Sequence, residues 1–322
     1  MTATDAQPTR TPDDLVRLLA SLRSNVANVF HGKDDTIRLS LVALLADGHL
    51  LLEDVPGVGK TTLAKALARS LACDFRRIQF TPDLLPGDLT GSSVFHPPTG
   101  AFTFHEGPLF AQVVLADEIN RATPRTQSAL LEAMSERQIT ADGTTRRLGP
   151  PFLVLATQNP YEFEGTYPLP ESQLDRFLLR LSIGYPDRVA ERSIFSQHRE
   201  GEPVETLPAV LTPSDVVALQ TLTRAVTVSE PVAEYLLDIV HATRAHPDVT
   251  LGASTRAGIM FYRACQAVAV LDNRRHVTPD DVKALAVPVL AHRLITKAWD
   301  QGGRNDASPI VQDILAKTPV RL

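Results

Sequence analysis

The sequence predicts an α/β domain, with a parallel sheet flanked by helices, followed by a smaller all-helical domain. Short apolar runs typical of buried strands end in polar residues, and these strand signals stop after about residue 187. Helix starts with a hydroxyl residue and a nearby proline take over beyond that point. The length of 322 residues also favours more than one domain. We expect a disordered N-terminus at 1–12, the α/β domain at 13–187 and the helical domain at 188–322.

Composition excludes several classes of protein. Hydrophobic residues make up 43% and charged residues 21%, close to globular averages, so neither disorder nor a fibrous repeat accounts for the chain. The net charge of −5 argues against a strongly basic surface for nucleic acid. Cys73 and Cys265 lie far apart and are interpreted as incidental thiols. The start lacks the apolar core of a signal peptide, and the longest apolar run, at 39–46, is short, so a cytoplasmic protein without membrane insertion is expected.

The first predicted elements are two helices, a strand and a third helix. Thr11 followed by Pro12 is a helix start, and leucines at helical spacing follow it. A second apolar helix is predicted at 34–46 and a buried strand at 49–55. The run at 61–72 is amphipathic and rich in helix formers. The order strand, glycine loop, helix is therefore predicted around residue 57.

Two further strands complete the predicted sheet. They are the apolar runs at 112–118 and 151–159. A helix and a hairpin turning at ADG fit between them, and a second hairpin is predicted at 91–110 around Pro98-Thr99-Gly100. In the second half, helices are predicted to start at Thr212, Ser229 and Thr278, and the stretch at 199–208 is interpreted as a linker or loop.

The glycine loop is DVPGVGKTT at 54–62. Its backbone N–H groups can turn toward phosphates, and the dipole of the following helix favours their negative charge. Lys60 is placed to reach the β and γ phosphates of a nucleotide, and the Thr61 hydroxyl to ligate Mg²⁺. Asp54 stands where the pattern GxxxxGK[ST] has its first glycine. The predicted phosphate-binding residues are Pro56, Gly57, Val58, Gly59, Lys60, Thr61 and Thr62.

Polar side chains at the ends of the next two strands complete a predicted nucleotide site. Asp117 and Glu118 close the run VVLADE, where one acid can hold Mg²⁺ through water and the other can orient the attacking water. Asn159 ends the third strand with an amide able to bond both a γ-phosphate and that water. Taken alone, the loop could be an ordinary turn and the polar residues could be solvated loop starts. Their common placement at strand ends favours the nucleotide site.

Four segments together resemble the MoxR family of AAA+ ATPases, in order and from about residue 15 onward. They are LLEDVPGVGKTTLAKALA, ADEINRATPRTQSALLEAMSERQIT, LATQNPYEFEGTYPLPESQLDRFLL and GASTRAG. The resemblance implies an AAA+ P-loop core, a helical lid, and a homo-oligomeric ring, typically a hexamer, that holds ATP between subunits. Partners with a von Willebrand factor A domain and client proteins are also implied.

The same resemblance assigns further residues. Asp117 and Glu118 correspond to Walker B, and Asn159 to sensor 1. Arg176, in QLDRF, looks like the arginine finger offered to a neighbour's nucleotide. Arg256, in GASTRAG, looks like sensor 2, acting on its own subunit's ATP or on the next one's. FHGKDD at 30–35 resembles the segment that borders adenine.

Several alternatives stay open at this point. Phe95, Phe102 and Phe104 could contact a client in a pore or could cover the core beneath the hairpin. His96 and His105 lie across the predicted turn, but without a cysteine or acid cluster we expect no metal there. A DNA-remodelling motor would need basic residues on a hairpin, for which Arg146 and Arg147 are the candidates. A scaffold that binds ATP with little turnover is a third possibility, which intact Glu118 and Arg176 disfavour.

Overall fold

The structure is a computed structural model that describes residues 10–160, 165–199, 201–300 and 305–320. Most of the predicted disordered N-terminus, residues 1–9, lies outside the described residues. The first helix begins at Pro12, and Thr11 and Asp14 form a reciprocal capping box at its start. The helix therefore starts one residue before the predicted domain boundary.

The strands of the described residues fall into one parallel sheet, two hairpins and a short ribbon. They are β1 (Leu50–Glu53), β2 (Phe75–Gln79), β3 (Gly91–His96), β4 (Ala101–Glu106), β5 (Val113–Asp117), β6 (Gln138–Ala141), β7 (Thr144–Arg147), β8 (Leu153–Gln158), β9 (Leu179–Leu181), β10 (Val249–Leu251) and β11 (Ile295–Thr296). Within the described residues, the parallel sheet has the order β2-β5-β8-β1-β9. Its central strands β5, β8 and β1 are the three predicted from sequence.

The helices surround the sheet and then form the second half of the chain. They are α1 (Pro12–Ala27), α2 (Asp34–Leu45), α3 (Lys60–Ser70), α4 (Pro86–Thr90), α5 (Pro124–Glu136), α6 (Glu171–Leu174), α7 (Arg188–Gln197), α8 (Pro213–Arg224), α9 (Glu230–Ala245), α10 (Thr255–Leu271), α11 (Pro279–Leu290), α12 (Lys297–Asp300) and α13 (Ser308–Lys317). Thr212, Ser229 and Thr278 are the N-caps of α8, α9 and α11, as predicted.

Alternate residues of the central strands pack into two different hydrophobic cores. Leu50 and Leu52 pack in the larger core with α1, α2, α3 and the helices of the second half. Leu51 instead joins the smaller core, which contains Leu130 and Met134 of α5. Because successive side chains of a strand point to opposite faces, continuous apolar runs mark strands that are buried on both sides. The parallel sheet flanked by helices follows from this pattern.

The sequence analysis did not predict all of the strands. The edge strand β2 reads FRRIQ, with only Ile78 buried, so it lacks the apolar run that marked the central strands. The strand β9 has only three residues. The described residues of the second half form helices together with an antiparallel ribbon of β10 and β11 and an isolated bridge between Thr227 and His276. The predicted linker near 199–208 contains a 3₁₀ turn at Pro203–Thr206, and this turn contacts α3.

Both predicted hairpins are present. The strands β3 and β4 pair around the Pro98-Thr99-Gly100 turn, and β6 pairs with β7 across ADG. The two hairpins contact each other: the Ser93 N–H donates to Asp142 at 3.0 Å, and the Arg146 guanidinium lies 3.6 Å from the centre of the Phe104 ring. No helix among the described residues is long and apolar enough to cross a membrane.

Candidate nucleotide site

An open cleft of about 360 Å³ lies at the carboxyl edge of the parallel sheet. Parallel strands bring their carboxyl ends to one edge, so loops that follow different strands meet there. The residues around the cleft are Pro56, Gly57, Gly59, Lys60, Thr61, Arg77, Gln79, Asp117, Glu118 and Asn159. The structure therefore brings the glycine loop, the acid pair and the strand-end asparagine together, as the sequence predicted.

The glycine loop has the backbone that its sequence requires. Gly57 and Gly59 adopt positive φ values of 84° and 91°, which other residues rarely adopt. A Cβ at Gly59 would also lie 3.2 Å from the ring of Phe30. The helix α3 begins at Lys60, so its first N–H groups point into the loop. Phe30 belongs to the segment at 30–35 that was compared with an adenine border.

Lys60 lies inside the cleft and is half-buried. Its Nζ donates to the backbone oxygen of Asp54 at 2.8 Å, which uses one of its three protons. Burial lowers the pKa of Lys60, and the nearby carboxylates of Asp117, Asp54 and Glu118 oppose this shift. The remaining protons of the ammonium group can bind an anion in the cleft.

Asp54, which replaces the usual first glycine, has a structural role. Its Oδ2 accepts hydrogen bonds from the backbone N–H groups of Ile183 at 2.6 Å and Gly184 at 2.7 Å. The same oxygen accepts from the Ser182 hydroxyl at 3.0 Å, while Oδ1 accepts from Val55 N–H. This buried carboxylate thus fastens the start of the loop to the chain that leaves β9.

Thr157 organises the acid pair. Its hydroxyl donates to Oδ1 of Asp117 at 2.6 Å and accepts from the Glu118 N–H at 2.9 Å. Thr157 is fully buried on β8, next to the strand that carries the acids. Glu118 adopts φ 57°, a left-handed conformation that costs free energy for a non-glycine residue and is common at functional sites. The sequence analysis did not identify Thr157, because its isolated hydroxyl matched no motif.

Arg77 and Gln79 on β2 reach the same acids. The Nη2 of Arg77 lies 2.6 Å from Oδ2 of Asp117, and Gln79 donates to Glu118 at 2.7 Å. Arg121 also contacts Glu118, at 3.2 Å. Sequence reasoning missed Arg77 and Gln79 because β2 itself was not predicted.

Other predicted residues lie beside the cleft or away from it. Val58 is buried beneath the loop, and Thr62 lies in the first turn of α3. Arg176 and Arg256 do not line the cleft. Arg176 donates to the backbone oxygen of Leu131 on α5. Arg256 is exposed near the start of α10.

Asp175 connects the regions of those two arginines. Its Oδ2 accepts from the Ser254 hydroxyl, the N-cap of α10, at 2.9 Å. Its Oδ1 pairs with Arg293 at 2.9 Å, and Arg293 has a side-chain exposure of only 1%. Burial lowers the pKa of Arg293 to about 10, although Asp175 opposes the shift. Arg176 and Arg256 therefore lie on segments held together by one carboxylate, outside the cleft of their own chain.

The hairpin residues separate into two groups. Phe95 and Phe102 are 49% and 72% exposed and contact each other, so of the two alternatives the one in which they cover the core does not hold for this pair. Phe104 is half-buried between Phe110 and Arg146. Arg147 is exposed, whereas the guanidinium of Arg146 stacks on the Phe104 ring.

The oxygen atoms in the cleft suit a small divalent cation. Asp117, with its carboxylate, and Thr61, with its hydroxyl, line the same cleft. Mg²⁺ prefers oxygen ligands and is commonly bound by one or two protein groups together with water and phosphate. The donor set therefore fits a magnesium nucleotide.

Comparisons with known proteins agree with this geometry. Residues 49–179 match the model for the ATPase family associated with various cellular activities (AAA), and residues 241–314 match the AAA lid domain. Uncharacterized protein YeaC of Bacillus subtilis is 48% identical over 96% of this chain and 97% of its own length. Chaperone MoxR1 of Mycobacterium tuberculosis is 40% identical, with coverages of 84% and 74%.

A solved structure extends the similarity to the whole fold. The crystal structure of a candidate ATPase from Cytophaga hutchinsonii superposes with a TM-score of 0.88 at 37% identity, covering 97% of both chains. Together with the cleft and its residues, these matches identify the chain as an ATPase of the MoxR family of AAA+ proteins, with an α/β core and a helical lid.

Proposed function

We propose that the cleft binds ATP with Mg²⁺ and that the chain hydrolyses it to drive chaperone-like remodelling, maturation or activation of client proteins. The proposal rests on one observation. Lys60 and Thr61 line the same cleft as Asp117, Glu118 and Asn159. We take residues 13–187 as the nucleotide-binding domain and 188–322 as the lid.

The site residues predicted from the sequence have proposed roles in the cleft. The loop from Pro56 to Thr62 and the Lys60 ammonium bind the phosphates, and Thr61 with Asp117 holds the cation. When bound, Mg²⁺ neutralises charge on the phosphate oxygens. Glu118 orients the attacking water and accepts its proton, and Asn159 bonds the water and the γ-phosphate.

Two variants of the cleft test these roles. Lys60→Ala should weaken ATP binding, because it removes a cation from the phosphate site. Glu118→Gln should keep binding but lose turnover by at least about 100-fold, since a positioned general base contributes roughly 10² to 10⁴ in rate. Glu132→Gln, on the exposed side of α5, is the matched control. Equal loss of ATP affinity in both cleft variants would contradict the division of roles.

We propose that the active form is a ring, typically a hexamer, in which Arg176 and Arg256 act on the nucleotide of the adjacent subunit. The support is that both arginines lie outside the cleft of their own chain, on segments joined through Asp175. An arginine at the γ-phosphate stabilises transition-state charge and is worth roughly 10³ to 10⁵ in rate. To reach a neighbour, Arg176 must leave the Leu131 oxygen.

Mixing of inactive subunits tests the action in trans. Lys60→Ala subunits retain Arg176, and Arg176→Ala subunits retain an intact cleft. Mixed rings should therefore contain some interfaces with both parts and regain ATPase activity. Confirmed subunit exchange without any regained activity would exclude Arg176 as the finger.

The client-directed part of the proposal rests on the family and on the exposed hairpin. A 40% identical relative is named Chaperone MoxR1. The Phe95 and Phe102 pair offers an exposed apolar surface for a protein client, and a separate protein with a von Willebrand factor A domain is the proposed partner. Capture with Glu118→Gln in ATP, followed by identification of the retained proteins, tests this.

The DNA-remodelling alternative has less support. It needed Arg146 and Arg147 as a basic pair, but Arg146 stacks on Phe104 and leaves Arg147 as the exposed member. DNA-stimulated turnover that falls steeply with salt would favour the motor. Turnover stimulated by a partner protein and indifferent to DNA would favour the chaperone.

A further inference from the structure

The two carboxylate oxygens of Asp117 have different partners. Oδ1 accepts the hydroxyl proton of Thr157 at 2.6 Å, and Thr157 is fully buried. Oδ2 accepts from Arg77, with Nη2 at 2.6 Å and Nε at 3.1 Å. The first contact is buried in the core, whereas the second comes from a residue that lines the cleft, so Oδ2 is the oxygen that Arg77 shares with the cleft.

Arg77 can leave Asp117 without disturbing the core. It lies on the edge strand β2, and its side chain is 50% exposed, whereas that of Asp117 is 13% exposed. Arg77 also lines the cleft, so its contact with Asp117 lies where a metal nucleotide would bind. A half-exposed side chain at a sheet edge gives up little packing when it moves.

We propose that Arg77 and Mg²⁺ compete for Oδ2 of Asp117, so that Arg77 occupies the carboxylate before the metal nucleotide binds and is displaced when it does. This inference rests on the proposed function, because it assumes that the cleft takes a magnesium nucleotide. A guanidinium donates hydrogen bonds, whereas Mg²⁺ or a water bound to it needs the same oxygen as a ligand or acceptor. One oxygen that already accepts from two nitrogens of Arg77 cannot serve both.

The competition has a measurable consequence. Arg77 should raise the Mg²⁺ concentration needed for nucleotide binding, because the metal must first displace an ion pair. Removing the guanidinium should lower the Mg²⁺ midpoint about two- to fivefold, the range expected for an ion pair with one half-exposed partner. A residue that only supported the sheet would change stability without shifting this midpoint in that direction.

The test uses a fluorescent ADP analogue, titrated with MgCl₂ at constant ionic strength. Wild type is compared with Arg77→Gln and with Arg76→Gln, which removes the same charge from the adjacent exposed position on β2. Because successive strand residues point to opposite faces, Arg76 controls for net charge without the contact to Asp117. We expect a lower Mg²⁺ midpoint in Arg77→Gln and an unchanged one in Arg76→Gln.

The outcomes separate this inference from the proposed function. An unchanged or higher midpoint in Arg77→Gln, or an equal decrease in Arg76→Gln, would overturn the competition while leaving the nucleotide site in place. If wild type binds the analogue at no Mg²⁺ concentration, the proposed function fails and this inference with it. Should Arg77→Gln not fold, Arg77→Lys provides the test, since it keeps the charge but loses the paired contact and should give an intermediate midpoint.

Discussion

Replacement of Asp54 by alanine should destabilise the protein by about 2 to 4 kcal/mol. The carboxylate accepts from Ile183 N–H, Gly184 N–H and the Ser182 hydroxyl. Ile183 is only 4% exposed, so its N–H group would lose its partner without access to water. A buried donor left unsatisfied costs about 1 to 3 kcal/mol, and the partly exposed Gly184 and exposed Ser182 add less.

Urea unfolding at neutral pH measures this loss as a difference in the free energy of unfolding. Asp248→Ala is the control, because Asp248 is exposed. Asp54→Asn should fall between wild type and alanine, since an amide oxygen still accepts but without charge. A loss below about 1 kcal/mol for Asp54→Ala would refute the idea that this carboxylate fastens the loop to β9.

Asp54→Gly is a second test of the hydrogen bonds made by the Asp54 carboxylate. This change restores the first glycine of the usual phosphate-loop pattern, so motif matching alone would predict a neutral or improved protein. The hydrogen bonds predict the opposite, a loss at least as large as that of alanine, because glycine adds backbone entropy to the unfolded chain. Urea unfolding of the two variants side by side decides between these expectations.

Two further predictions concern buried titratable side chains. Burial lowers the pKa of both His49 and His292 well below 6.5, so they stay neutral while the unfolded chain takes up protons below that pH. The free energy of unfolding measured in urea should therefore be highest above pH 6.5. Between pH 6.5 and 5.5 it should fall by up to about 1.4 kcal/mol for each histidine. Equal free energies of unfolding at pH 6.5 and pH 5.5 would contradict neutral histidines. Arg293→Met should cost about 3 to 5 kcal/mol in the same assay, because it leaves Asp175 without its buried ion-pair partner and removes a donor from two backbone oxygens. Asp175→Asn should cost less, since Arg293 keeps those oxygens, and a larger loss for Asp175→Asn would contradict this ranking.

Contiguous motifs explain what could be predicted from the sequence. The loop at 54–62 and the acids at the end of β5 each lie on neighbouring residues, and parallel strands place such segments at one edge of the sheet. The central strands were found because they are apolar on both faces. Local patterning therefore sufficed for the core of the site.

Residues that act through distant partners could not be predicted in this way. Arg77 meets Asp117 only because β2 lies beside β5, and β2 has mostly polar, exposed residues. Asp54 looked like a mismatch because its partners at 182–184 are more than a hundred residues away. The roles of Arg176 and Arg256 stay predictions, because they depend on a second subunit.

The larger core also limits how the ATPase can move. Residues of α1 and α2, such as Leu22 and Ile37, share one continuous apolar cluster with Phe261, which lies within the lid match at 241–314. Swinging the lid open would expose this shared apolar cluster to water, which costs a free energy of about 25 cal/mol for each Å² of apolar area. Nucleotide-driven motion within a subunit should therefore be a small sliding of packed helices, and larger movements should occur between neighbouring subunits of the proposed ring.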